Sequence, residues 1–176
     1  MRKILTIVLL GLGLANVNAQ DGNFKVGAHL GIPISSIASD FYNVNLGVDV
    51  AYLWNISDKL QIGTTSGFSF YSGKNDYSFW IFSPSGAYEL NGEVENRTVL
   101  PLAGALKYNF SKKFFAGADL GYAFFLSGTS NTGSLYFQPK AGLNFKKNEI
   151  YISYKGLSKG GETIGTINLG YAYNFF

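Results

Sequence analysis

An alternation with period two, repeated over eight segments, is the feature that most constrains this chain. Large apolar residues alternate with small or polar ones in the segments 24–33, 43–54, 60–72, 98–110, 114–126, 134–145, 149–157 and 164–176. Such a pattern is typical of β-strands with one apolar face and one polar face. Each segment has about nine to thirteen residues, the length that a tilted strand needs to cross a bilayer. The pattern predicts eight strands.

The second segment shows the pattern most clearly. One parity holds Val44, Leu46, Val48, Val50, Tyr52 and Trp54, and the other holds Asn43, Asn45, Gly47, Asp49 and Ala51. The third segment is weaker, because Thr64 and Ser66 interrupt its apolar parity.

The connectors between the segments alternate in length. Short polar turns are predicted at 55–59, 111–113 and 146–148, and longer loops at about 34–42, 73–97, 127–133 and 158–163. Turns on one side and loops on the other are typical of a membrane barrel with periplasmic turns and extracellular loops. The predicted fold is therefore an all-β, eight-stranded, antiparallel up-and-down transmembrane β-barrel.

The segment 73–97 is the longest connector. It holds Tyr77, Phe79, Trp80, Ile81 and Phe82, followed by the turn sequence Ser83-Pro84-Ser85-Gly86. We interpret it as an extension of the third and fourth strands beyond the membrane. A ten-stranded barrel is the alternative.

The first residues have the pattern of a secretory signal peptide. Basic Arg2 and Lys3 precede the apolar stretch 4–14. The segment 17–19 then offers small residues at the −3 and −1 positions of a cleavage site after Ala19. Cleavage after Ala19 would leave residues 20–176 as a single barrel domain; a retained membrane anchor is the alternative. Cleavage would also remove two of the 14 basic residues and none of the 11 acidic ones, so the net charge of +3 falls close to zero. We expect no nucleic-acid partner.

The composition distinguishes a membrane barrel from a soluble one. Only 14% of residues are charged and 16% are aromatic, whereas about 25% charged residues are usual in soluble domains. A soluble lipocalin-like barrel, the alternative, would need a charged exterior. Aromatic residues instead lie near the predicted turns, where they match an interfacial girdle: Tyr52, Trp54, Tyr108, Phe110, Phe114, Phe145 and Tyr173.

The polar parity carries most of the charges in the strands. The predicted lumen residues are Lys25, His29, Asp49, Lys107, Asp119, Lys140 and Lys155. We interpret them as a structural polar network, with an ion path as the alternative, since eight strands leave room only for side chains. His29 is the only histidine and the chain has no cysteine, so no catalytic residue, metal site or cofactor is predicted. A lipid-modifying enzyme with His29 as its base remains an alternative.

The signal peptide, the eight segments and the aromatic C-terminus resemble the small outer membrane protein beta-barrel domain family, relatives in architecture of the OmpX and OmpA barrels. The run Val99-Leu100-Pro101-Leu102-Ala103-Gly104-Ala105-Leu106-Lys107-Tyr108 is similar to a strand pattern of that family. The resemblance implies a location in the cell outer membrane and insertion by the barrel-assembly machinery. Outer-membrane lipid and lipopolysaccharide are then the expected partners, and a monomer is expected.

The last residues resemble the assembly signal of that family. Tyr173 and Phe175 continue the apolar parity of the closing strand, whereas the terminal Phe176 falls on the opposite parity. In the family the last residue usually shares the lipid-facing parity, so the terminal aromatic residue of this chain is one position out of phase with that pattern.

The function predicted from these features is non-enzymatic. The expected role is structural or adhesive, through the loops and chiefly through 73–97, where Tyr77, Phe79, Trp80 and Phe82 would form a contact surface for an unidentified extracellular ligand. A small pore or transporter is the second hypothesis.

Overall fold

The computed structural model describes residues 22–74, 77–84, 86–92, 94–127 and 133–175. In chain order its elements are β1 (Gly22–Pro33), α1 (Ser36–Phe41), β2 (Tyr42–Asn55), β3 (Leu60–Gly73), β4 (Tyr77–Ser83), β5 (Gly86–Gly92), β6 (Arg97–Asn109), β7 (Phe114–Phe125), β8 (Gly133–Phe145), β9 (Asn148–Lys159) and β10 (Glu162–Asn174). The predicted signal peptide, 1–19, lies outside the described residues and stays a prediction.

Eight of the strands form one closed antiparallel barrel. Its order is β1-β10-β9-β8-β7-β6-β3-β2, and since β1 pairs with both β10 and β2, the ring of strands is complete. β3 pairs directly with β6, from Leu60 opposite Tyr108 to Tyr71 opposite Arg97. The ladder therefore leaves no place for further strands, and β4 and β5 form a separate two-stranded sheet. The predicted eight-stranded barrel is confirmed, and the ten-stranded alternative is wrong.

The two ends of the barrel differ. The three short turns join β2 to β3, β6 to β7 and β8 to β9 at one end, which we call the turn end. The opposite end, which we call the loop end, carries α1, the β4–β5 hairpin and the β7–β8 connection. The loop predicted at 158–163 is wrong: Lys159 pairs with Glu162 across Gly160 and Gly161, whose φ angles are +61° and +88°. Glycines at positive φ permit a tight two-residue hairpin turn.

The helix α1 lies against the loop end of β10. The Ser35 hydroxyl oxygen accepts hydrogen bonds from the backbone N–H of Ala38, at 3.3 Å, and of Gly165, at 2.9 Å. It therefore caps α1 and attaches it to β10 with one side chain. Among the described residues, no helix is long and apolar enough to span a membrane.

The barrel is apolar outside and polar inside. Each of its eight strands exposes large apolar side chains, among them Ile32, Leu46, Phe68, Leu102, Leu120, Leu135, Ile152 and Leu169. Leu120 is 63% exposed and Leu169 is 64% exposed. The interior buries Lys25, His29, Lys107, Asp119, Gln138, Glu149 and Lys155. An exterior of this kind requires lipid, because the cost of leaving it in water is too high. The soluble lipocalin-like alternative is therefore wrong.

Aromatic rings pack on the outer surface of the barrel, both near the turn end and towards the loop end. Edge-to-face pairs two residues apart on one strand join Tyr52 to Trp54 and Tyr108 to Phe110 near the turn end, with ring centroids 4.9 and 5.1 Å apart. Tyr122 and Phe124 form a similar pair towards the loop end, at 5.2 Å. The rings of the predicted girdle thus lie on the outer surface, near the ends of the strands, as expected for an interfacial girdle.

The closing strand brings Phe175 to the outer surface. The centre of its ring lies 5.0 Å from that of Tyr173. It lies 5.8 Å from the ring centre of Phe24, across the seam where β1 pairs with β10. Its backbone N–H donates to the Phe24 carbonyl at 2.9 Å. Phe175 thus holds the lipid-facing parity, while Phe176 lies outside the described residues.

We expect Phe175→Ala to impair barrel assembly more than Phe176→Ala. Phe175 contributes two aromatic contacts at the seam, and such pairs contribute about 0.5–1.5 kcal/mol each. The fraction of heat-modifiable protein on unboiled gels of membrane fractions measures assembly. The opposite order of the two variants would contradict the register of β10.

Candidate functional site

The lumen holds all seven charged or histidine side chains that the sequence predicts there. Lys25, His29, Lys107, Asp119 and Lys155 are buried, and the side chains of Asp49 and Lys140 are 18% and 19% exposed. The structure divides them into three groups along the barrel: one around His29, one around Asp119 and one near the turn end.

The first group joins four strands around His29. Its Nδ1 lies 2.6 Å from Oδ2 of Asp49, and its Nε2 lies 3.2 Å from Oγ of Ser69 and 2.8 Å from Nζ of Lys155. Lys155 Nζ also donates to Ser69 Oγ at 2.6 Å, and Tyr151 donates to Asp49 at 3.3 Å. Since an ammonium group has only donors, a charged Lys155 donates to Nε2, and Nδ1 then carries the proton shared with Asp49.

Ser69, His29 and Asp49 have the connectivity of a serine hydrolase triad. In such a triad the serine hydroxyl donates to Nε2 of the histidine. Here the Lys155 ammonium is closer to that nitrogen and also occupies Ser69 Oγ. Ser69 is 1% exposed and the His29 side chain is 0% exposed. The arrangement therefore works as a buried network of hydrogen bonds.

Gly47 makes room for the His29 ring. It is paired with His29 across β1 and β2, and a Cβ at this position would lie 2.1 Å from the backbone oxygen of Phe68 and 2.7 Å from Cε1 of His29. Any larger residue would displace the ring from Asp49 or distort the ladder.

The second group crosses β7, β8 and β9. Lys140 Nζ donates to Oδ2 of Asp119 at 2.8 Å, and Gln138 donates to Ser153 Oγ at 2.8 Å. The Tyr136 hydroxyl donates to Gln138. Oδ1 of Asp119 is buried without a hydrogen-bond partner among the described residues.

The third group lies near the turn end and depends on Glu149. Its Oε1 accepts from Lys25 Nζ and from Lys107 Nζ, both at 2.5 Å. Lys107 also donates to Asn144 at 2.8 Å and lies 4.0 Å from the centre of the Phe115 ring. Glu149 was missed in the sequence analysis, although it shares its parity with Tyr151, Ser153 and Lys155 and could have been found from that.

Amide side chains at the turn end form a row of hydrogen bonds next to this group. Asn174 donates to Asn23 at 2.9 Å and Asn23 donates to Asn55 at 3.0 Å. Gln61 donates to the same Asn55 oxygen at 2.7 Å. These bonds connect β10, β1, β2 and β3, so they hold together the strands on both sides of the closing seam.

The described residues leave an open space in the lumen at the turn end. A vestibule of about 500 Å³ lies at the turn end, and a cavity of about 50 Å³ lies further in. Lys25, Lys107 and Glu149 line both spaces and therefore separate them. Towards the loop end the barrel is filled by a buried apolar cluster, which we call the plug: Tyr42, Tyr71, Val99, Ala103, Ala123, Tyr136 and Leu157.

The predicted contact residues lie on the β4–β5 hairpin. Phe82 is 82% exposed. The backbones of Tyr77, Phe79 and Trp80 belong to β4, and their side chains lie outside the described part of the structure. In the described residues, no group of three or more His, Cys, Asp or Glu side chains is placed to hold a metal ion.

Known structures share this fold. The Yersinia pestis outer membrane protein Ail, in a phospholipid bilayer nanodisc, is 13% identical with a TM-score of 0.54, over 88% of this chain and 100% of that chain. The outer membrane protein OprG from Pseudomonas aeruginosa is 11% identical with a TM-score of 0.53, over 88% and 95%. The N-terminal β-barrel domain of OprF from the same organism is 12% identical with a TM-score of 0.50, over 89% and 98%.

These likenesses concern the fold alone, because the identities are low. No protein-family model matches the sequence, and no curated protein matches it. The fold is that of the small eight-stranded outer-membrane barrels. The predicted transmembrane barrel is thus confirmed, and the predicted location in an outer membrane agrees with it.

We expect Glu149→Gln to lower the free energy of unfolding by about 3 kcal/mol, because two buried ammonium groups would lose their shared carboxylate. Adding Lys25→Met should recover part of this loss, since one of the two unpaired charges is then gone. Denaturant titration of the barrel in detergent measures both effects. Glu162→Gln, at the exposed β9–β10 turn, is the control, with an expected change within about 0.5 kcal/mol. Equal losses for Glu149→Gln and Glu162→Gln would contradict the role of Glu149.

Proposed function

We propose that the chain is a non-enzymatic, integral outer-membrane protein that contacts a partner outside the cell through its β4–β5 hairpin. The observation that carries this proposal is the separation of the hairpin from the barrel. β4 and β5 pair with each other from Tyr77 opposite Gly92 to Ser83 opposite Gly86, and they form a sheet of their own.

The hairpin combines apolar positions with unpaired edges. Its register pairs Phe79 with Leu90 and Ile81 with Tyr88, so large apolar residues occupy matched positions of one parity on both strands. On the other parity, Phe82 is exposed to solvent. A two-stranded ribbon has two edges that can accept a further strand, and exposed apolar residues on such a ribbon favour contact with another surface.

The interior supports a structural role for the lumen. Each of the three buried or half-buried carboxylates accepts from at least one lysine or from His29. The plug then closes the loop end above the His29 group. An ion path would need a continuous wet passage, and a hydrolase would need access of lipid to Ser69; this arrangement favours neither.

Deletion of residues 76–95 is expected to abolish adhesion while leaving the barrel assembled. The deletion removes both strands of the hairpin, and the β3–β6 ladder does not depend on them. Adhesion of cells that display the chain measures the effect, and heat-modifiable migration checks the barrel. Phe82→Ser should weaken adhesion severalfold, whereas Ile56→Ser, an exposed apolar residue at the turn end, serves as the matched control. Unchanged adhesion of the deletion variant would refute the proposal.

Planar-bilayer recording of the purified, folded barrel should give no reproducible unitary conductance. The plug and the ion pairs occupy the interior of an eight-stranded barrel, which has room for little else. A porin recorded in the same bilayers is the positive control. Stable single-channel steps from this chain would support the pore hypothesis instead.

A further inference from the structure

The vestibule at the turn end is strongly basic. It has a volume of about 500 Å³ and is lined by six lysines and two acidic residues. The lysines are Lys25, Lys59, Lys107, Lys112, Lys146 and Lys147, and the acidic residues are Asp58 and Glu149. Charges of one sign around a concavity with low-dielectric walls reinforce one another and attract counter-ions into it.

The floor of the vestibule has two lysines around one carboxylate. Lys25 and Lys107 are both buried and share one carboxylate oxygen of Glu149. Among the described contacts, Lys25 Nζ donates to Glu149 alone, and Lys107 Nζ donates to Glu149 and Asn144. Since an ammonium has three N–H donors, the two lysines retain donors beside the vestibule.

The rim of the vestibule is supplied by three separate turns. Lys59 precedes β3, Lys112 lies between β6 and β7, and Lys146 lies between β8 and β9; all three are exposed. Lys146 has a φ angle of +56°, a left-handed conformation that glycine or asparagine adopts at lower energy. Lysine is therefore conformationally less favourable than glycine or asparagine at this position. Its charge adds to those of the other lysines around the vestibule.

We propose that this vestibule is a binding site for multivalent phosphate-type anions that enter from the turn end. Lysines act as point charges that bind phosphate oxygens from many directions. None of the described residues that line the vestibule is an arginine, so they do not supply the paired fork that favours planar carboxylates. The excess of lysines over acidic residues favours an anion with several charges over a single halide, and the volume exceeds that of one phosphate group.

Free phosphates and phospholipid headgroups offer the same chemistry to this site. A free anion reaches both the rim and the floor through the opening. A headgroup reaches it from the surrounding leaflet, past the rim lysines. The two sources are therefore distinguished by the lipid around the barrel.

Isothermal titration calorimetry with sodium tripolyphosphate tests the proposal on the folded full chain in a phosphate-free detergent. We expect saturable binding that weakens as the ionic strength rises to about 0.15 M. The triple variant Lys59→Gln, Lys112→Gln, Lys146→Asn should bind about tenfold more weakly or worse, since each exposed ion pair adds a modest part of the affinity and three are lost. The control Lys74→Gln, Lys113→Gln, Lys159→Gln removes the same charge from residues that do not line the vestibule.

The outcomes separate the proposal from general attraction by charge. Loss of binding in the rim variant with retention in the control supports the site. Absence of saturable binding, or equal weakening in both triple variants, overturns it. The titration is then repeated with the full chain and the rim variant in nanodiscs of phosphatidylcholine with and without phosphatidylglycerol. A loss of affinity with phosphatidylglycerol that is larger for the full chain than for the rim variant identifies the headgroup as the occupant, and an equal loss or no loss identifies the free anion.

Discussion

Closure of the backbone ladder is the constraint on which the rest of this structure depends. Inside a bilayer no water satisfies a free N–H or C=O group, so a sheet can span lipid only when its first and last strands pair. Here β1 and β10 pair from Lys25 opposite Asn174 to Pro33 opposite Thr166. Ring contacts between Phe24 and Phe175 cover the outer side of this seam, and the bond from Asn174 to Asn23 joins its inner side.

Closure with eight strands determines what the interior can hold. The alternation that sends apolar residues to lipid sends the other parity into a space with room for side chains only. Charges in that space must be paired, because a buried charge without a partner destabilises the fold strongly. The lysines of the lumen therefore converge on Asp49, Asp119 and Glu149, directly or through His29 and Ser69. Gly47 and other small residues leave the room in which these side chains cross the barrel.

The strands could be predicted from the sequence because period two is a local property of the chain. The parity of a residue could be predicted for the same reason, and it placed His29 and Lys155 in the lumen correctly. Their contact could not be predicted, since they are far apart in sequence and meet only through the register and shear of the whole barrel. The prediction of a long loop between β9 and β10 was wrong because it used only the length of the segment 158–163. The pair Gly160-Gly161 in that segment favours a tight turn. Glu149 was missed because it is the second residue of its strand, where the alternation has barely begun.

The plug has a consequence for the membrane as a whole. An outer membrane protects the cell as long as its proteins do not make it leaky, and each open barrel adds to the leak in proportion to its number of copies. Tyr71, Tyr136 and Leu157 pack inside this barrel near the loop end, and Phe41 of α1 and Val94, just before β6, pack against the same cluster. A surface protein of the kind proposed above needs no passage through its barrel, and the spaces described in this lumen lie on the turn side of the plug.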